Sequence, residues 1–142
     1  MRFITKWLLL VSVGLMAWEN GNATDVDFGA VSGTWGKAES PYYVKGNIWV
    51  EEGTTLTIEP GVTVVFVASG LNVNGQLLAQ GTENDNIVFA SQDGYSAGVI
   101  SFMSPGKSIM EYTSIQTSPV FIYIYDGTVY CSPFVRPKIA GL

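Results

Sequence analysis

The sequence predicts an all-β fold made of stacked coils, and three observations point to it. Beyond Ala23, no stretch places apolar residues at helical spacing over three turns, and Gly or Pro interrupts nearly every window. Short β-branched runs such as 62–66 and 87–89 follow one another instead. The apolar pattern of 48–58 recurs in 71–81, displaced by 71 − 48 = 23 residues. A period of roughly 20 residues with glycine corners is typical of a solenoid.

A β-sandwich of short strands is the alternative fold. The dipeptides Asp93-Gly94 and Asp126-Gly127 favour two-residue hairpin turns, which a sandwich uses and a solenoid does not need. The pattern of short strands by itself leaves both folds open.

The N-terminal residues 1–23 are predicted to be a secretory signal. Arg2 and Lys6 give a positive start, and an apolar or small stretch follows at 7–18, too short to span a bilayer. The small residue Ala23 offers a cleavage site, after which no stable membrane span is expected. An uncleaved anchor helix is the alternative.

Three segments of the mature chain contain the motifs of a known family. These are 46–66, with the run Leu-Thr-Ile-Glu-Pro-Gly-Val at 56–62, then 71–82, and then 87–91. Together they closely resemble the opening coils of bacterial secreted right-handed parallel β-helix proteins, the pectin-lyase-like architecture. The resemblance covers 44–117 and implies a short right-handed parallel β-helix of about 4–5 coils.

The remaining segments flank these coils. Residues 24–43 are predicted to be a cap or lead-in, and 118–142 an atypical strand segment without the punctuated coils that follow in the family. A truncated reading frame is one explanation of that tail. The predicted inward-facing residues of the core are Leu56, Ile58, Val64, Phe66, Leu77, Ile87 and Phe89.

Composition excludes several classes of function. The 142 residues carry 7 basic and 12 acidic side chains, a net charge of −5, so a nucleic-acid partner is not expected. The chain has no His, which removes imidazole from any triad or zinc site. Its one Cys, Cys131, is expected to be buried, with a bond to another chain as the alternative.

Acidic residues give no credible catalytic or metal site. Asp25 and Asp27 share one face of a strand by period-two geometry, yet a solvated segment is the better interpretation. The oxygen-rich residues 82–86 suit a turn better than a Ca²⁺ site. Catalytic residues, metal ligands and cofactors are therefore all predicted to be absent.

Aromatic residues make the best case for a binding surface. Trp35, Tyr42, Tyr43 and Trp49 cluster at the start of the mature domain, and flat rings on a strand face stack on sugars. For Trp35 and Tyr42, however, a cap over the open end of the core is the better interpretation.

The leading functional hypothesis is a non-catalytic, secreted or cell-surface β-helix module. Such a module serves as a scaffold, an adhesin-like part or a carbohydrate-contacting surface, with polysaccharide or cell-surface components as partners. The alternative is the N-terminal fragment of a carbohydrate-active β-helix enzyme, a polysaccharide lyase or glycoside hydrolase. Unpaired edge strands also make edge-to-edge self-association an expected property.

Overall fold

The computed structural model describes residues 22–117 and 120–131. The predicted signal segment, 1–23, lies outside the described residues except for Asn22 and Ala23. The prediction of a signal therefore concerns a part of the chain about which the structure says nothing further.

The described chain consists of short strands and one short 3-10 helix, Lys37–Glu39. In chain order the strands are β1 (Thr24–Val26), β2 (Gly29–Ala30), β3 (Gly33–Trp35), β4 (Tyr42–Val44), β5 (Ile48–Val50), β6 (Thr55–Ile58), β7 (Thr63–Phe66), β8 (Gly70–Val73), β9 (Gln76–Gln80), β10 (Ile87–Ser91), β11 (Gly98–Phe102), β12 (Lys107–Glu111), β13 (Thr113–Thr117), β14 (Val120–Ile124) and β15 (Thr128–Cys131).

Each pass of the chain adds one strand to each of three parallel sheets. Sheet A has the order β1-β4-β7-β10-β13, sheet B the order β2-β5-β8-β11-β14, and sheet C the order β3-β6-β9-β12-β15. The result is a β-solenoid of about four turns, which confirms the predicted all-β solenoid. The β-sandwich alternative is wrong, because Asp93-Gly94 and Asp126-Gly127 join strands of different sheets and do not close hairpins.

The pairing register reproduces the repeat in the sequence. Ile48 pairs with Leu71 in sheet B, which is the displacement of 23 residues found in the sequence. In sheet C, Leu56 pairs with Leu77, a displacement of 77 − 56 = 21 residues. The difference arises because the corner before β6 is two residues longer than the corner before β9.

Alternation along each strand divides its side chains between the core and the outer surface. In β6 and β7 every second residue is buried, as period-two strand geometry requires. The inward residues of all three sheets form one continuous apolar core. All seven predicted core residues are at most 1% exposed, namely Leu56, Ile58, Val64, Phe66, Leu77, Ile87 and Phe89.

The structure places strands in both segments that flank the predicted coils. The lead-in segment contains β1, β2 and β3, which pair in parallel with the next pass of the chain. In the tail, β14 and β15 likewise pair with the preceding pass. Coil pairing therefore extends over the described parts of both segments.

One corner is longer than its counterparts. The corner between β10 and β11, residues 92–97, has six residues, whereas the equivalent corners at 45–47 and 67–69 have three. Backbone bonds still anchor its start, because the Gln92 amide donates to the Phe66 carbonyl at 2.9 Å. Two residues of this corner, Gln92 and Tyr95, line a depression together with Tyr43 of sheet A.

Candidate functional site

Two of the four predicted contact residues lie in the core. Trp35 is 8% exposed and Tyr42 is 5% exposed, and their rings stack with centroids 4.6 Å apart. Both residues belong to the continuous apolar core, where Trp35 lies in the first strand of sheet C and Tyr42 in the second strand of sheet A. Their rings are therefore not open to a polysaccharide.

The other two predicted residues face outward from different sheets. Tyr43 is half-buried on the outer face of sheet A, where its register neighbours are Asp25 and Val65. Trp49 is half-buried on the outer face of sheet B. The structure therefore separates Tyr43 from Trp49 and gives each ring a different set of neighbours.

Tyr43 lies in an open cleft between sheet A and the long corner. The cleft encloses about 620 Å³, and its lining residues are Asp25, Tyr43, Lys45, Val67, Gln92 and Tyr95. A second depression of about 320 Å³ shares Tyr43 and Gln92 and continues along the sheet past Val65, Ala90 and Asp93. We refer to the two together as the sheet A cleft.

The residues that line the sheet A cleft include aromatic, polar and charged side chains. Tyr95, in the long corner, is 52% exposed and offers a second aromatic ring beside Tyr43. The Lys45 ammonium binds the Asp25 carboxylate at 2.6 Å, and this hydrogen bond raises the pKa of Lys45. The cleft thus combines two tyrosine rings, the Gln92 side chain and one ion pair, all of which solvent can reach.

The outer face of sheet B carries a second aromatic group. Trp49 meets Phe28 edge to face, with ring centroids 5.1 Å apart. In register with Trp49 across the sheet lie Asn72, then Ser101, then Tyr123. A polar centre therefore separates the aromatic rings at the two ends of this face.

Neither acidic segment considered for metal binding forms a cluster. The Asp25 carboxylate is engaged with Lys45. In 82–86, the Thr82 hydroxyl accepts from the Asp85 amide at 3.0 Å, which supports the turn interpretation. Across the residues that the structure describes, no group of three or more His, Cys, Asp or Glu side chains is arranged to hold a metal ion.

Sequence reasoning missed Tyr95 and Gln92 as cleft residues. The signal available was the segment 92–97, in which Asp93-Gly94 marks a turn and a tyrosine follows directly. The extra length of that corner becomes visible once the strands on either side are in register.

The structure contradicts the expectation that Cys131 is buried. The thiol is exposed, not buried, although its register partner Met110 is fully buried. The reason is that β15 is the last described strand of sheet C, so no described strand covers its far edge. The partial burial that remains raises the pKa of the Cys131 thiol.

Within 22–117 and 120–131, no helix has the length and apolar character that crossing a membrane requires.

Comparison with known proteins gives one short similarity. Over 57 residues the chain is 49% identical to Protein bark beetle of Drosophila melanogaster, a stretch that is 39% of this chain and 2% of that protein. The chain therefore corresponds to a very small part of this relative. No protein-family model and no solved structure matches the chain.

Proposed function

We propose that this chain is a non-catalytic β-solenoid module that contacts polysaccharide through the sheet A cleft. The observation that carries the proposal is that Tyr43, Tyr95 and Gln92 line one open cleft. Aromatic rings stack on the apolar faces of sugars, while amide and carboxylate groups bond to their hydroxyls.

The shape of the sheet A cleft suits a chain better than a small free ligand. It is open along the outer face of the sheet, and its two depressions meet at Tyr43 and Gln92. An extended polymer can lie along such a surface without being enclosed. The parallel sheet beneath supports this arrangement, because β4, β7 and β10 hold the floor in register.

The proposal also includes export and a pectin-lyase-like type of solenoid. The charged start and apolar stretch of 1–23 support export to the outside or the cell surface. The motif at 56–62 supports the pectin-lyase-like type, and its first three residues alternate between the core and the surface in β6. A bacterial source stays a prediction of the resemblance, since the matched relative is a Drosophila protein.

The test is affinity electrophoresis of the protein through gels containing pectin or alginate. We expect the protein to be retarded in at least one of them, and we expect Tyr95→Ala to abolish most of that retardation. Tyr130→Ala is the matched control, because Tyr130 is also a tyrosine that is 52% exposed but lies on sheet C. Equal loss in both variants, or no retardation of the unaltered protein, would overturn the proposal.

Catalysis is tested on the same samples. Incubation with pectin and alginate is expected to yield neither new reducing ends nor unsaturated, ultraviolet-absorbing products. Either product would contradict the proposal that the module is non-catalytic. Polysaccharide binding by the cleft is tested separately, by the electrophoresis.

A further inference from the structure

The residues that line the sheet A cleft carry more negative than positive charge. Lys45 is the one basic side chain among them, whereas Asp25 and Asp93 are both acidic and exposed. Asp27 adds a third exposed carboxylate nearby, because its charge also acts on Lys45. A sugar chain bound in the cleft therefore meets a surface of net negative charge.

The single positive charge of the cleft is already engaged. The Lys45 ammonium lies 2.6 Å from the Asp25 carboxylate. The hydrogen bond with Asp25 raises the pKa of Lys45, and the charges of Asp25 and Asp27 add to the rise, so Lys45 stays protonated and paired at neutral pH. A carboxylate on a ligand reaches Lys45 only beside Asp25, and two like charges at such close range repel each other.

The sheet beneath the cleft offers no other charge to a ligand. The strand register places Tyr43, Val65 and Ala90 side by side across the outer face of sheet A. The other donors of the lining are neutral, such as the hydroxyl of Tyr95 and the amide of Gln92. Neutral donors bond to sugar hydroxyls and to ester carbonyls, but they do not balance the charge of a carboxylate that has left water.

Positive charge elsewhere in the described chain does not offset this. Apart from Lys45, the basic side chains of the described residues are Lys37 and Lys107. Lys37 binds Asp85 at 2.9 Å, and Lys107 lies in β12 of sheet C, so neither lines the cleft. The whole chain has a net charge of −5. Its long-range field therefore repels an acidic polymer.

We propose that the sheet A cleft selects sugar units without a free carboxylate, neutral or esterified, over the ionised units of a polyuronate chain. This inference rests on the proposed function, because it names the class of sugar that the cleft contacts. The tyrosine rings stack on neutral and on ionised sugars alike. The selection therefore arises from the carboxylates around Lys45, and a change in those carboxylates alters it.

The test is isothermal titration calorimetry of the whole protein with one pectin oligosaccharide in two forms, fully methyl-esterified and free acid. We expect the ester to bind more tightly by about threefold or more at low salt, because the carboxylates of the cleft repel those of the free acid. We expect the ratio of the two affinities to shrink in about 1 M salt, where the screening length is roughly 3 Å. A preference that salt leaves unchanged would come from the methyl groups and would overturn the proposal.

Asp25→Asn tests the same selection from the side of the protein. It leaves the Lys45 ammonium without its carboxylate partner, so we expect it to tighten binding of the free acid by about threefold or more. Asp85→Asn is the matched control, because Asp85 pairs with Lys37 outside the cleft and the net charge changes equally. An equal gain in both variants would show that the net charge discriminates between the ligands, and would overturn the role of the cleft.

Failure of this inference is distinguishable from failure of the proposed function. Equal or tighter binding of the free acid to the unaltered protein overturns the charge selection alone, since the cleft still binds sugar. Absence of binding by both forms overturns the proposed function and this inference with it.

Discussion

Trp35 and Tyr42 stack face to face, with ring centroids 4.6 Å apart and planes inclined by 7°. The Tyr42 hydroxyl accepts from the Gly36 amide at 2.9 Å and donates to the Gly36 carbonyl at 3.2 Å. One tyrosine thus joins sheet A to the corner after β3. The pair is therefore held in the core by packing and hydrogen bonding together.

Removal of the Tyr42 hydroxyl tests the contribution of these hydrogen bonds to stability. We expect Tyr42→Phe to lower the free energy of unfolding by about 1–2 kcal/mol, because the Gly36 amide loses its acceptor. Chemical denaturation measures the change. Tyr43→Phe is the control, since Tyr43 faces outward beside it. An equal effect of both substitutions would show that the bonds to Gly36 do not stabilise the fold.

The ionisation of Tyr42 predicts a dependence of stability on alkaline pH. Burial raises the pKa of Tyr42 above its ordinary value of 10.0, and nearby Glu39 adds to the rise although the Gly36 amide opposes it. Folded Tyr42 keeps its proton at pH values where the unfolded tyrosine loses it. Stability contributed by Tyr42 is therefore complete below pH 10.0 and falls as the pH rises through the higher, folded pKa. Across this pH range, the free energy of unfolding should fall less steeply with pH for Tyr42→Phe than for the unaltered protein. Identical slopes for the two proteins would contradict the prediction.

The continuous core predicts a large cost for truncation. Leu56→Ala and Phe89→Ala each remove a fully buried side chain, and we expect a loss of about 2–5 kcal/mol from each. Thr57→Ala is the control, because Thr57 is a half-buried neighbour on the outer face of β6. A melting temperature unchanged by either core substitution would show that the inward assignment is wrong.

The close contact of Gly98 with Phe66 predicts intolerance of even one methyl group. A Cβ at Gly98 would lie 2.7 Å from Cδ2 and 2.8 Å from Cβ of Phe66, whose ring is fully buried. We expect Gly98→Ala to cost about 1–3 kcal/mol through overpacking. Thermal unfolding measures this against Ser96→Ala, an exposed position in the same corner. Equal stability of the two variants would mean that the core relaxes around the added methyl.

The coil register was predictable because two simple rules agree along much of the chain. Alternation places Ile48, Val50, Leu71 and Val73 inward, and the glycine corners keep their spacing nearly constant. A parallel solenoid then follows from the repeat, since equal spacing brings like residues into contact between passes.

The sheet A cleft and the exposure of Cys131 were harder to predict, because neither follows from the repeat. Tyr95 lies in a corner that is longer than its counterparts, so no repeated position indicates where its ring points. The exposure of Cys131 depends on whether a further pass covers it, which its own neighbours in the sequence do not reveal. Trp35 and Tyr42 likewise have the residue types of a sugar platform, but the structure buries both in the core.

The most direct test of the sheet A cleft as a carbohydrate-contact surface is an NMR titration of the labelled protein with oligosaccharides from pectin and from alginate. We predict that backbone amide shifts change at Tyr43, Gln92 and Tyr95 with one of these ligands, while Tyr130 on sheet C is unaffected. Changes that avoid the cleft, or no changes with either ligand, would contradict the account.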